Sequence, residues 1–191
     1  MELNGETLRF IREHCKDDVR SLALQAPKYP GVDMSVALTQ IAGRQAAAEK
    51  IPSWHEEEGV LYPRHLSLEQ CSSEATARYK ASIIPESSSG TLTDLTGGFG
   101  IDCAFLSPKF HHVTYVERQE VLCEIASHNF PLLGLNHIQI ENKDGIRHLQ
   151  EMSSVDWIFI DPARRDGHGG KTVAIADCEP VSYTHLTLPT I

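Results

Sequence analysis

From Thr91 onward, four short apolar runs alternate with helix-length segments, and this alternation constrains the chain more than any other feature. TLTDL (91–95), VTYV (113–116), HIQI (137–140) and VDWIFI (155–160) are separated by stretches 101–107, 119–129 and 145–151 that read as helices. Parallel neighbours cannot be joined by a tight hairpin, so the rhythm predicts βαβ units in an α/β, doubly wound sheet of about four parallel strands. VDWIFI is apolar at almost every position, as expected of a strand covered on both faces in the middle of a sheet. Little chain follows it, so the sheet is expected to be cut through its middle.

The residues before this pattern predict helices. Leu8, Ile11, Cys15, Val19 and Leu22 fall at steps of three and four, predicting one amphipathic helix over 6–25. Asp33 or Ser35 can cap a second helix, in which Ala37, Leu38, Ile41, Ala42 and Gln45 to Ala48 offer a small-residue face. A third is expected from Ser67, whose S-x-x-Q pattern with Gln70 reads as a capping box, with Leu68, Cys71, Ala75 and Tyr79 inward. PESSSG (85–90) is the linker. The expected organisation is an N-terminal helical region (1–88), a partial nucleotide-binding domain (89–180) and a tail (181–191). The tail, VSYTHLTLPTI, carries no Asp, Glu, Lys or Arg and resembles a sequencing-adapter scar, so it is set apart and the native chain is expected to continue past Pro180. A terminal strand is the other reading of its LTL alternation.

The chemistry-bearing residues gather at the predicted carboxyl ends of the strands. Asp94 ends the first strand and leads into Leu95, Thr96, Gly97, Gly98, Phe99 and Gly100, with a helix starting near Asp102. Glycines let a backbone turn sharply and let a ligand approach, and the free N–H groups of the following helix suit an anion. Read as G-x-G-x-x-G, the third glycine is replaced by Cys103, which makes a merely tight strand-to-helix turn the competing reading. Glu117 ends the second strand seventeen residues beyond Gly100, where an acid accepts both ribose hydroxyl protons; a solvated surface charge is the alternative. After the third strand, Asn142 precedes Asp144, which either lies beside an adenine amine or caps the helix 145–151. The fourth strand ends in Asp161, Pro162, Ala163, Arg164 and Arg165. An Asp there sits at the ligand crevice of an open α/β sheet, and the two arginines can hold an anionic substrate by forked hydrogen bonds. Asp166 to Lys171, with three glycines, reads as a flexible crossing or a substrate lid.

Composition narrows the function classes. Lys and Arg total 17 against 26 Asp and Glu, a formal charge of -9, so no basic stripe marks a nucleic-acid groove. Five cysteines without a CxxC pair argue against a disulfide framework or a zinc ribbon, and the ten histidines are scattered, so no metal is expected. No basic leader or membrane-length apolar run is visible, and a cytoplasmic location is expected.

Together, DLTGGFGID (94–102), VERQEVL (116–122) and IDPARR (160–165) resemble S-adenosylmethionine-dependent methyltransferases of Rossmann-like fold. The D-x-T-G-G-x-G-x-D form is similar to that of bacterial enzymes that methylate the exocyclic amine of guanine in small-subunit ribosomal RNA. The chain to Pro180, including LEQCSSEATARYKA (68–81), resembles bacterial methyltransferases with a THUMP-like C-terminal domain. The resemblance implies S-adenosylmethionine as cofactor, with Asp94, Gly97, Gly98 and Gly100 along its methionine moiety, Glu117 on the ribose and Asp144 at the adenine amine. It places Asp161 and Pro162 where amine methyltransferases have D-P-P-aromatic, with the Asp or its neighbouring carbonyl accepting from the target amine. Here Ala163 replaces the second proline and Arg164 the stacking aromatic, so stacking must come from elsewhere, such as Trp157 or Tyr79. An RNA substrate follows by resemblance, and its contacts are expected to come in part from a C-terminal domain missing from this sequence. Two other functions share the glycine loop and Glu117: an NAD-linked oxidoreductase, which has no need of the D-P-A-R motif, and a noncatalytic RNA-binding or assembly module.

Overall fold

A computed structural model describes residues 4–85 and 90–162. The first part is a layer of helices: α1 (Gly5–Glu13), α2 (Val19–Leu24), a 3-10 turn (Ala26–Lys28), α3 (Met34–Lys50), α4 (Pro52–Glu56), α5 (His65–Gln70) and α6 (Glu74–Ile83). The single helix expected over 6–25 is two. α1 closes at His14, and the Asp18 carboxylate accepts from the Ser21 amide at 2.8 Å, so an aspartate placed to cap a new helix interrupts the apolar stripe. Asp33 caps α3, as one of the two candidates, accepting from the Val36 amide at 3.1 Å.

The small-residue face of α3 is formed by Ala37, Ile41, Gly43 and Ala47, whereas Gln45, Ala46 and Ala48 point outward. A Cβ on Gly43 would stand 2.3 Å from that of Tyr62, so the helix packs on the extended segment 60–62 at a distance only glycine permits. That segment is hydrogen-bonded like a strand, but by side chains. Gln40 pairs with both backbone groups of Tyr62 and Asn129 with both of Leu61, at 2.8 to 2.9 Å, so buried amides satisfy backbone that no sheet partner reaches.

The capping box expected at Ser67 is absent. Ser67 lies inside α5, and the serine that caps is Ser73, whose Oγ accepts from the Thr76 amide at 3.2 Å to start α6. The shifted start turns the helix so that Glu74 and Ala77 face inward, leaving Ala75 and Tyr79 in solvent. Glu74 is tolerated there because it accepts from the Ser53 backbone and side chain and from Arg78. Burial pushes its carboxyl up, but these bonds outweigh it and hold the group below the usual range.

The second part is the parallel doubly wound sheet predicted from the alternation: β1 (Thr91–Asp94), α7 (Ile101–Leu106), β2 (His112–Glu117), α8 (Glu120–Leu132), β3 (Ile138–Asn142), α9 (Gly145–Glu151) and β4 (Trp157–Phe159). Strand order is β3-β2-β1-β4, all parallel. Because crossovers are right-handed, the step outward through β2 and β3 and the return to β4 put α7 and α8 on one face and α9 on the other. The order reverses between β1 and β4, which opens a crevice at their carboxyl ends. The helices from the carboxyl end of α3 onward share one core with the sheet, with Trp54 edge-on to Phe99 at 5.1 Å and Tyr115 edge-on to Phe130 at 5.5 Å, while α1, α2 and the first half of α3 enclose a second cluster of Phe10, Leu22, Ala37 and Ile41.

The expectation that the fourth strand is covered on both faces turns on the chain after Pro162, which lies outside the described residues. Among the described residues β4 is an edge strand of three residues, with Trp157 and Ile158 39% and 41% exposed. No described strand pairs with its free edge. Its amino end is fastened to β1 by Asp156, whose carboxylate accepts from the Thr91 amide and hydroxyl at 2.8 and 2.9 Å. The tail 181–191 and the stretch Asp166–Lys171 lie outside the described residues.

Candidate functional site

At the carboxyl ends of β1, β2 and β4 the structure brings together Asp94, Gly97, Gly98, Gly100, Glu117 and Asp161. Gly97 anchors the glycine loop by donating its amide to the Val116 carbonyl at 2.9 Å. A Cβ at Gly97 would fall 2.3 Å from the Tyr115 ring, and one at Gly100 would fall 2.9 Å from the Phe130 ring, so at these two positions the loop lies on aromatic rings with no room for a side chain. Gly98 and Gly100 have φ of 55° and 89°, the left-handed region that other residues avoid. Tyr115, fully buried, donates its hydroxyl to the Gly98 carbonyl at 2.6 Å. The third glycine of a dinucleotide fingerprint is thereby shown to be unnecessary for this turn: buried Cys103 fills that position.

Glu117 is the counterpart across the loop. Its Oε2 accepts from the Gly98 amide and its Oε1 from the Gln119 amide, both at 2.8 Å. Two of the four lone-pair positions of a carboxylate are used, leaving capacity for a ligand. Asn142 donates to the Glu117 carbonyl at 2.9 Å, so its side chain braces the tip of β2. Asp144 caps α9, its Oδ1 accepting from the Ile146 and Arg147 amides at 3.0 Å. Gly145 behind it approaches the Leu95 carbonyl so closely that a Cβ would lie 2.2 Å from that oxygen, seating α9 under the β1 loop.

Asp94 is fully buried. Its Oδ1 accepts from the Thr96 amide at 2.9 Å, while its Oδ2 has no partner among the described residues. Burial pushes this carboxyl up to about 7, with Asp102 and Glu117 adding to the rise and the Thr96 amide opposing it. Thr96 reaches the other side of the crevice too, its Oγ1 accepting from the Asp161 amide at 2.8 Å. One residue therefore joins the loop after β1 to the loop after β4.

Sequence reasoning missed Lys80 and Ser72. From α6, Lys80 donates to Asp161 Oδ2 at 2.7 Å, Asp102 Oδ2 at 2.9 Å and Ser72 Oγ at 3.0 Å, and it sits 5.2 Å from the centroid of the Phe159 ring. Ser72 also donates to Asp102 at 2.9 Å. Asp102 Oδ1, like Asp94 Oδ2, is a buried acceptor without a partner among the described residues. No spacing rule could reveal Lys80, since its partner Asp161 is eighty-one positions away. Of the two stacking candidates, Trp157 pairs in register with Leu92 near the amino end of β1 and packs on Phe110, away from the crevice mouth. Tyr79 is 68% exposed and adjoins Lys80 in α6. Arg164 and Arg165 lie outside the described residues. Among those residues no cluster of His, Cys, Asp or Glu could hold a metal, and no helix is long and apolar enough to cross a membrane.

A protein from Porphyromonas gingivalis W83, provisionally described as a methyltransferase, is similar to this chain over 95% of its residues at 29% identity, with a TM-score of 0.71. The chain spans 45% of that protein's length. Partial overlaps include a SAM-dependent methyltransferase from Agrobacterium tumefaciens (19% identity, 60% of this chain and 39% of that one, TM-score 0.41) and an rRNA methylase from Streptococcus thermophilus (19%, 48% and 49%, 0.36). No protein-family model and no curated protein sequence matches the chain.

Proposed function

We propose that this chain, whose four-stranded parallel sheet, flanking helices and match to the Porphyromonas protein give it the Rossmann-like methyltransferase fold, is an S-adenosylmethionine-dependent methyltransferase acting on an exocyclic amine of a base in RNA, with guanine favoured by the motif resemblance. The observation that carries this reading is Thr96, which bonds the Asp94 carboxylate with its amide and the Asp161 amide with its hydroxyl, tying a cofactor-side acid to an acceptor-side loop.

The residues present fit the cofactor. Gly97, Gly98 and Gly100 form a backbone cradle, and beside it Asp94 and Asp102 each keep one buried carboxylate oxygen without a partner among the described residues, the chemistry suited to a cationic group. Glu117 has acceptor capacity for the ribose hydroxyls. Asp144 commits Oδ1 to its helix cap, so any bond to the adenine amine falls to its other oxygen or to neighbouring backbone. When bound, S-adenosylmethionine would supply an electrophilic sulfonium methyl group: the N–C bond would form as the C–S bond breaks with its electron pair left on sulfur, and the amine would give up one proton to solvent. Asp161, or the carbonyl beside it, accepts from the target amine and aims its lone pair, and Pro162 stiffens that turn. Alignment of this kind can supply about 7 to 11 kcal/mol of barrier lowering, which is why no metal is needed in the scheme. Tyr79 supplies the stacking surface in this reading, and Arg164 and Arg165 take up phosphate.

Titration calorimetry with S-adenosylmethionine and with NAD, followed by transfer of tritiated methyl to total RNA, tests the proposal. Expected are binding of S-adenosylmethionine and radiolabel in RNA. Preference for NAD would overturn it in favour of hydride chemistry, and cofactor binding without transfer to any RNA would favour a noncatalytic module.

A further inference from the structure

We propose that Lys80, in the helical layer, is a positioning residue that holds Asp161 in place for the acceptor amine, which makes α6 part of the reaction site rather than a covering; the inference rests on the function proposed above. An ammonium has three N–H donors, and Lys80 places one on each of Asp161 Oδ2, Asp102 Oδ2 and Ser72 Oγ. The Phe159 ring packs beside the same ammonium. The side chain thus has no spare donor and one arrangement that satisfies it.

A simple staple between α6 and the sheet would need only Asp102, which is 13% exposed and lies at the start of α7. The contact to Asp161 adds little to such a staple, because that carboxylate is 47% exposed and pairs of this exposure contribute little to stability. What the contact does is fix a side chain on a loop. Asp161 is held at two points, its amide by Thr96 Oγ1 and its Oδ2 by Lys80, while Oδ1 has no partner among the described residues. An acceptor fixed in this way keeps its remaining oxygen and adjoining carbonyl in one orientation, and misplacement by about an ångström can cost on the order of a hundredfold in rate.

Lys80→Met alone would strand the Asp102 carboxylate, so the decisive comparison is Lys80→Met/Asp102→Asn against Asp102→Asn. Expected in the double variant are a further ten- to hundredfold loss in kcat for methyl transfer to total RNA, S-adenosylmethionine affinity within about twofold of the single variant, and faster hydrogen exchange over residues 157–161 with β2 and β3 unchanged. Lys80→Arg, which keeps the charge, should lose less than Lys80→Met. An unchanged kcat overturns the proposal, as does a loss of cofactor affinity that matches the loss in rate. If the native chain neither binds S-adenosylmethionine nor transfers methyl, the functional reading fails separately; the exchange measurement then judges Lys80 alone, and unchanged exchange over 157–161 overturns its positioning role.

Discussion

The Glu117 carboxylate accepts the Gly98 amide at 2.8 Å, so the acid at the tip of β2 and the glycine loop after β1 are bonded directly to each other. The pocket wall is pre-organised: the acid that would hold a ribose also sets the loop that would line the methionine end. Glu117→Ala should therefore weaken S-adenosylmethionine binding by roughly 1.5 to 3 kcal/mol, since charge-assisted bonds to the ligand are lost and the loop is freed as well. Titration calorimetry checks this, and an unchanged dissociation constant would remove Glu117 from the cofactor site.

Asp161 stands on the other wall, and its substitution should separate binding from chemistry. Asp161→Ala is expected to leave cofactor affinity nearly intact while lowering methyl transfer by orders of magnitude, because in the proposed function its hydrogen bond serves the reacting amine. Equilibrium dialysis beside a tritiated-methyl assay reads both quantities. Equal losses in the two would place Asp161 in the cofactor pocket instead.

Gly97 and Gly98 are neighbours with different reasons to be glycine, and thermal unfolding can tell them apart. A Cβ at Gly97 meets the buried Tyr115 ring at 2.3 Å, and that ring is pinned by its bond to Gly98, so Gly97→Ala should cost about 1 to 3 kcal/mol or more of stability. A Cβ at Gly98 finds nothing nearer than 3.7 Å, leaving only the positive φ to oppose it, about 1 kcal/mol. Gly98→Ala should thus melt above Gly97→Ala. The reverse order would contradict the packing given for the loop.

Much of this architecture was legible because it is written locally. Short apolar runs spaced by helix lengths specify parallel strands, and the loop DLTGGFG carries its turn chemistry in consecutive residues. What was hidden depended on distant partners. The apolar stripe across Leu8 to Leu22 does not reveal that Asp18 prefers to cap, and Ser67 and Ser73 offer comparable local signals until the rest of the fold decides which serine starts a helix. VDWIFI reads as a strand by composition alone, but that its neighbour is β1 rather than β3, which precedes it in the chain, is decided by pairing over distance. Lys80 was invisible for the same reason: its meaning comes from Asp102 and Asp161, and no periodicity links them.

Asp94 makes the stability of the molecule depend on pH in an unusual direction. Its carboxyl rises from an ordinary 3.8 to about 7 chiefly through burial, so the folded state holds a proton there that the unfolded chain has released. Its contribution is fully present below pH 4 and is lost as pH climbs toward 7, the opposite of acids such as Asp156, whose carboxyl the Thr91 amide holds below its usual range. Asp94→Asn cannot titrate, and its amide keeps an oxygen for the Thr96 N–H. The stability of the native chain relative to this variant should therefore fall between pH 4 and pH 7, by at most about 4 kcal/mol, and level off above. Chemical denaturation of both proteins across that range measures the difference directly. A difference that stays flat, or that grows with pH, would show that Asp94 is ionised in the fold, with a cationic partner supplied to the oxygen that lacks one among the described residues.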